Sequence, residues 1–183
     1  LLLLLYCETP FAQQRSKAAR ERKEASEHLL DYPVVLRNAL SINTGSTEFA
    51  PKRYHNGIVY VTSRRKFGPR DQNTGETFYE LYYAELNPDG MPFKPEPFSI
   101  NLNSELHENS VAFNRQGDKI FFTRNNMEQG LPKTSAEGRI VMKIYEADLG
   151  PFDWENVREL SFNSDEYSCL HPTLSPDGNK LFF

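Results

Sequence analysis

The side chains able to do chemistry are few in this chain of 183 residues, which holds four histidines and two cysteines. His107-Glu108 is the opening pair of a zinc-protease helix, but no second histidine follows to complete the metal site. Asp71-Gln72-Asn73-Thr74-Gly75-Glu76 echoes a calcium loop, yet Glu76 stands where the turn glycine belongs and no bidentate acid follows at the right distance. His55 and His171 read as turn or strand-edge residues. Cys7 and Cys169 lie at opposite ends of the chain, and no Cys/His pair has zinc spacing. A Gly-x-Ser-x-Gly elbow and a glycine-rich phosphate loop with lysine are both missing, so nucleophilic and nucleotide chemistry lack their parts. The sequence therefore predicts no catalytic residue, no metal and no cofactor. What remains is positive charge: Arg64, Arg65, Lys66 and Arg70 form a candidate surface for an acidic protein partner or an anionic glycan.

Bulk properties set limits on the elements that must carry these residues. Twenty-one basic against 25 acidic side chains give a formal charge of −4, too mild for a nucleic-acid footprint. Aromatic residues make up 13% of the chain, a share suited to a sheet-rich core. No internal apolar run is long enough to span a membrane. Residues 1–12, from Leu1–Leu5 through Cys7 to Ala12, read as the remnant of a secretory signal cleaved after Ala12. Residues 13–33 are rich in Ala, Arg, Lys and Glu with almost no apolar stripe, which predicts a short solvated N-terminal helix ended by Pro33.

From residue 34 onward the chain repeats itself. Asn43, Asn103 and Asn163 recur at intervals of 60 residues within Leu40–Thr44, Ile100–Ser104 and Leu160–Ser164. Gly57, Gly117 and Gly178 follow at 60 and 61, each ahead of a hydrophobic run. Pro176, Asp177 and Gly178 spell a tight hairpin turn, with Asn56-Gly57 and Gln116-Gly117 placed alike. Each unit reads as four antiparallel strands: one before the Gly turn, one after it, a Tyr-rich one, and one ending near the Asn motif. The asparagines are expected to make Asx-turns between units. The spacing predicts an all-β fold, a partial β-propeller of about two and a half four-stranded blades over 34–183, with units at about 44–103, 104–163 and 164–183. A β-sandwich is the competing architecture. Val34–Arg37 is expected to be the outer strand of the ring's final blade, a clasp, because Leu40–Thr44 sits where a blade ends before any blade has begun.

The stretch His171-Pro-Thr-Leu-Ser-Pro-Asp-Gly-Asn-Lys-Leu-Phe-Phe183 resembles the WD40-like propeller repeat with a Pro-Asp-Gly turn, known from TolB-like proteins and from bacterial OmpA-family envelope proteins. Ser104–Arg124 resembles it more loosely, and Ser46–Arg64 more loosely still. The resemblance covers residues 34–183 and implies a non-catalytic protein-binding scaffold. It would belong to an exported protein of the periplasm or outer membrane of a Gram-negative bacterium, of which this chain would be an N-terminal piece. It also leaves open a propeller that gates a prolyl-oligopeptidase-like serine hydrolase, with the catalytic residues elsewhere, and a periplasmic accessory closer to TolB.

Overall fold

The computed structural model describes residues 35–183, so the expected signal remnant and the expected helix at 13–33 lie outside the described residues. Contacts divide the chain into Leu1–Arg37 and Asn38–Phe183. In the first unit, Val35–Arg37 are exposed and belong to no strand. The second unit holds all the strands among the described residues.

Among the described residues that unit has strands and turns and no helix. Strands β1 (Glu48–Tyr54), β2 (Gly57–Thr62), β3 (Glu80–Leu86) and β4 (Pro92–Pro97) form one antiparallel sheet in sequence order. Strands β5 (Glu108–Phe113) and β6 (Lys119–Asn125) begin a second. Its long connection carries a two-residue hairpin, β7 (Met127–Glu128) with β8 (Leu131–Pro132), before β9 (Met142–Leu149) and β10 (Trp154–Glu159) complete the sheet in order β10-β9-β6-β5. A third pair, β11 (Thr173–Leu174) and β12 (Leu181–Phe182), starts again in the same way. The first strands are neighbours: β5 touches both β1 and β11.

The alternation of β2 explains how the sheets stack. Val59 and Val61 point to one face with their partners Tyr83 and Leu81, and join Val111, Ile120, Phe122, Tyr145 and Ala147 of the second sheet in one core. Ile58 and Tyr60 point the other way, with Ala84 and Tyr82, and meet Ala39 and Ile42 from the segment that precedes β1. A strand whose successive residues are apolar, as Ile58–Val61 are, must be covered on both sides, and β2 is. Leu102, fully buried, plugs the space between the two sheets; Ile42 does the same on the far face of the first sheet. The first residues of the same motifs, Leu40 and Ile100, are solvent-exposed at 76% and 87%.

The outer strands are guarded against pairing with other chains. β4 carries Pro92, Pro95 and Pro97, which remove ladder donors. β10 has no proline, but it is charged and bulged between Glu155 and Arg158. Lys94 and Asn156, 62 residues apart, both adopt positive φ at these bulges.

One expected equivalence is corrected. Gly117 and Gly178 lie inside four-residue turns at φ 77° and 73°, each donating its N–H to the residue that opens the turn, Asn114 O and Ser175 O. Gly57 instead is the first residue of β2 and pairs with Glu85, as Lys119 pairs with Asp148. Its structural counterpart is therefore Lys119, and the turn before it is two residues shorter. Glycine is needed there for space, because a Cβ would run into the Ala84 carbonyl and the Tyr83 ring. Pro176 presets the third turn, and Asp177 holds it by accepting from Asn179 N at 3.1 Å.

Candidate functional site

The two long connections, from β2 to β3 and from β6 to β9, leave their sheets at the same end, because each joins the second and third strands of an antiparallel meander. A cleft of about 630 Å³ lies between them. One wall is Arg70–Asn73 with Phe78, the other Pro132 with Gly138–Ile140, and Leu106, His107 and Asn125 form the floor. Each wall is braced by its own small ladder: an Arg70–Thr77 bridge in the first loop, the β7–β8 pair in the second.

His107 is the centre of this floor. Its Nδ1 accepts the backbone N–H of Tyr79 at 3.1 Å, which fixes the proton on Nε2, and Nε2 donates to Asp71 Oδ2 at 3.3 Å. The Phe78 and Tyr79 rings flank the imidazole, at centroid distances of 4.7 and 4.5 Å. Burial lowers the His107 pKa, with Asp71 opposing, so the ring is neutral at pH 7. Neither ring nitrogen has a lone pair or proton left for a substrate, so His107 holds the first loop against the floor and is not placed to act as a base. Asp71 is equally committed: Oδ1 accepts Asn73 N at 2.8 Å, and this bond, followed by the one from His107, keeps its carboxyl below the usual range. The first acid of the Asp71–Glu76 series is thus spent on an Asx-turn and a histidine. Among the described residues no group of three His, Cys, Asp or Glu side chains is arranged to hold a metal.

The basic cluster expected to dock a partner is largely consumed inside the protein. Arg64 donates to the carbonyls of Ser41 and Ile42 and lies over the Tyr60 and Tyr82 rings at 5.9 and 5.6 Å. Arg124 repeats this over Phe122 and Tyr145 at 5.5 and 4.5 Å. Arg65 pairs with Glu80 at 3.1 Å and more loosely with Glu105. Arg70 closes its own loop through Gly75 O at 2.7 Å, leaving most of its guanidinium toward the cleft it lines. Lys66 is exposed and has no ion-pair partner among the described residues. Of the four, only Arg70 lines the main cleft, and the structure adds Arg139 on the opposite wall.

Two of the three repeat asparagines, Asn103 and Asn163, prove to be clamps. Asn103 accepts Leu81 N at 2.8 Å through Oδ1 and donates to Leu81 O at 3.1 Å through Nδ2. Asn163 does the same to Ile144, at 3.0 and 2.7 Å. The side-chain amide thus stands in for a strand residue along the third strand of its sheet. The Asx-turn expected of these residues is corrected: the i+2 turn bond is made by the next residue, where Thr44, Ser104 and Ser164 each accept the backbone N–H of Ser46, Leu106 and Glu166 at 3.1 Å. The Asn43 side chain, by contrast, bonds among the described residues to the Asn38 side chain and reaches no strand. Replacing Asn103 with Ala leaves the buried Leu81 N–H without a partner, and urea denaturation is expected to read a loss of about 1–3 kcal/mol. Asn43→Ala is expected to change stability by less than about 0.5 kcal/mol.

A charged network anchors the second wall. Asp165 receives Lys143 at 2.7 Å, Lys133 at 2.9 Å and the Asn126 amide at 2.9 Å. These donors, Lys143 foremost, hold its carboxyl far below the usual range. His55 forms a two-residue turn with Asn56 at φ 47°. His171, also at positive φ, contacts Ser110 Oγ at 2.9 Å through Nδ1. Among the described residues no acid is bonded to that pair.

No family model, curated protein or solved structure matches the chain. Function therefore rests on the site and on the internal repeat. Sequence reasoning set aside His107 and Asp71 separately, each as part of an incomplete metal motif, and missed Phe78, Arg139 and Ile140. The one signal that pointed toward them was the common position of the two long connections within the repeat.

Proposed function

We propose that the chain is part of a β-propeller acting as a non-catalytic interaction scaffold in an exported cell-envelope protein of the OmpA family, with the loop-bearing face as its binding face. The observation that carries this reading is the head-to-tail contact between sheets. The second sheet meets the first through Ile120, Phe122, Tyr145 and Ala147, and the residues equivalent to these in the first sheet are Ile58, Tyr60, Tyr82 and Ala84, on its opposite face. A heterologous contact repeated with a constant rotation generates a ring where the rotation closes, whereas the two sheets of a sandwich face each other across one core. The segment from Ala39 to Asn43, seated on the first sheet's open face, takes the place that Ser99–Asn103 takes between the sheets. Val35–Arg37 are exposed and belong to no strand, so the clasp expected at Val34–Arg37 draws no support from this placement. Export to the periplasm or outer membrane follows from the resemblance and from residues 1–12 read as a signal. No helix among the described residues is long and apolar enough to cross a membrane.

Cell fractionation of the full-length protein, combined with an activity-based fluorophosphonate probe, tests the proposal. The protein is expected in the envelope fraction, exported and unlabelled. Recovery from the cytosol overturns the localisation, and a labelled serine with prolyl-peptidase activity replaces the scaffold with the gated hydrolase.

A further inference from the structure

The cleft between the two loops has an imbalance of hydrogen-bonding groups. Its acceptors are mostly spent: Asp71 is bonded through both oxygens, and Asn125 Oδ1 accepts His107 N at 3.0 Å. Its donors are mostly free among the described residues. Arg70 uses one N–H on Gly75 O, and Arg139 uses one on the exposed Glu137 at 2.7 Å, leaving most of both forks for a ligand. The Gln72 side-chain amide and the Asn125 Nδ2 make no hydrogen bond among the described residues, whereas Asn73 gives its backbone N–H to Asp71 and turns its exposed side-chain amide partly toward the same carboxylate. Such a site suits a ligand rich in acceptors and carrying negative charge.

The remaining features select among ligands of that kind. Backbone groups on both walls are paired within their own loops, through Asp71 N to Glu76 O, Gly75 N to Asp71 O, Lys133 N to Asn126 O and Ser135 N to Arg139 O. These four backbone groups are therefore not offered to a peptide adding as a strand. Recognition must run through planar side chains, two guanidinium forks and three amides, whose paired groups match vicinal hydroxyls and carboxylates. Between them lie the apolar surfaces of Phe78, Leu106 and Ile140, suited to the C–H face of a pyranose ring. The volume is that of a small-ligand site.

We propose that this cleft binds an acidic oligosaccharide, with Arg70 and Arg139 gripping a uronate carboxylate from opposite walls and Gln72, Asn73 and Asn125 bonding the ring hydroxyls. The inference rests on the loop-bearing face being the binding face of the scaffold, and it names what that face takes.

Titration calorimetry of the full-length protein tests it, with trigalacturonate and trimannuronate as acidic probes, maltotriose as the neutral one and a hexaglutamate peptide as the competing anion. At least one uronate trimer is expected to bind, more weakly as salt rises, with maltotriose at least tenfold weaker. Arg139→Ala and Asn73→Ala, both at exposed positions, are each expected to weaken uronate binding tenfold or more, while Arg115→Ala, remote from the cleft, leaves it unchanged. Three results overturn the inference: neither uronate trimer binds at millimolar concentration, maltotriose binds equally well, or hexaglutamate binds in preference to the sugars. Uronate binding that survives both cleft substitutions removes the site and leaves the scaffold reading standing. A cytosolic location or hydrolase activity removes the scaffold reading without touching this titration.

Discussion

Glu108→Gln is expected to stabilise the protein by about 3 kcal/mol at pH 7 and by little at pH 5. Glu108 is fully buried at the start of β5, where Oε1 accepts the Ser104 hydroxyl at 2.6 Å and Oε2 has no partner. Burial pushes its pKa from 4.5 up to about 8, with the Ser104 bonds and the nearby Arg124 opposing and Glu80 reinforcing. Arg124 does not rescue the charge, because its guanidinium lies over the Phe122 and Tyr145 rings and its Nε is itself unpartnered. The folded chain therefore keeps a proton that the unfolded chain releases. Stability contributed by this protonated carboxyl is complete below about pH 4.5 and is lost as pH rises toward 8, by about 1.4 kcal/mol per pH unit. Glutamine preserves the bond from Ser104 and removes the ionisation. Urea denaturation from pH 5 to 8 should show the wild type losing stability steeply and the variant staying nearly flat; parallel curves would mean that Glu108 is charged and paired in the fold.

Leu102→Ala is expected to cost about 2–5 kcal/mol, the range for deleting a buried leucine whose surroundings cannot collapse. Leu102 sits between the two sheets, in the core that also holds Trp154, the single tryptophan of the chain, which is 2% exposed. The indole lies near the Tyr54, Phe98 and Phe113 rings, at 6.0 to 6.2 Å, so its emission reports on the contact between sheets. A lower denaturation midpoint accompanied by a red shift of native-state emission is the expected outcome. Ile100→Ala, two residues away in the same motif and 87% exposed, should change stability by no more than about 0.5 kcal/mol. Equal effects at both positions would show that the motif does not plug the sheets in the way the packing requires.

Legibility in the sequence followed the range of the interaction. The strands were readable because alternation and turn chemistry are local: β2, β3, β6 and β9 lie where the hydrophobic runs and Tyr-rich segments put them. The equality of Gly57 with Gly117 misled, since spacing in the chain counts residues whereas equivalence in a sheet is set by register, and the first turn is shorter than the second. The asparagines announced themselves by recurrence, but their partners, 19 and 22 residues back along the chain, could not be read from an Asx-turn rule that looks two residues ahead.

The candidate site divides along the same line. That Arg64, Arg65, Lys66 and Arg70 belong to one basic stretch is a property of the chain; that Arg64 lies over two tyrosines and Arg65 pairs with Glu80 depends on sheets that bring distant side chains within reach. The cleft itself is a purely tertiary object, with Asp71 and His107 joined across 36 residues and Arg70 facing Arg139 across two loops from different sheets. By itself the sequence determined the class of fold, the repeat and the position of the long loops, because these follow from periodicity and short turns. Tertiary structure decided which polar groups are already satisfied and which are left to meet a ligand, because burial and hydrogen-bond satisfaction are set by neighbours that the chain brings from far away.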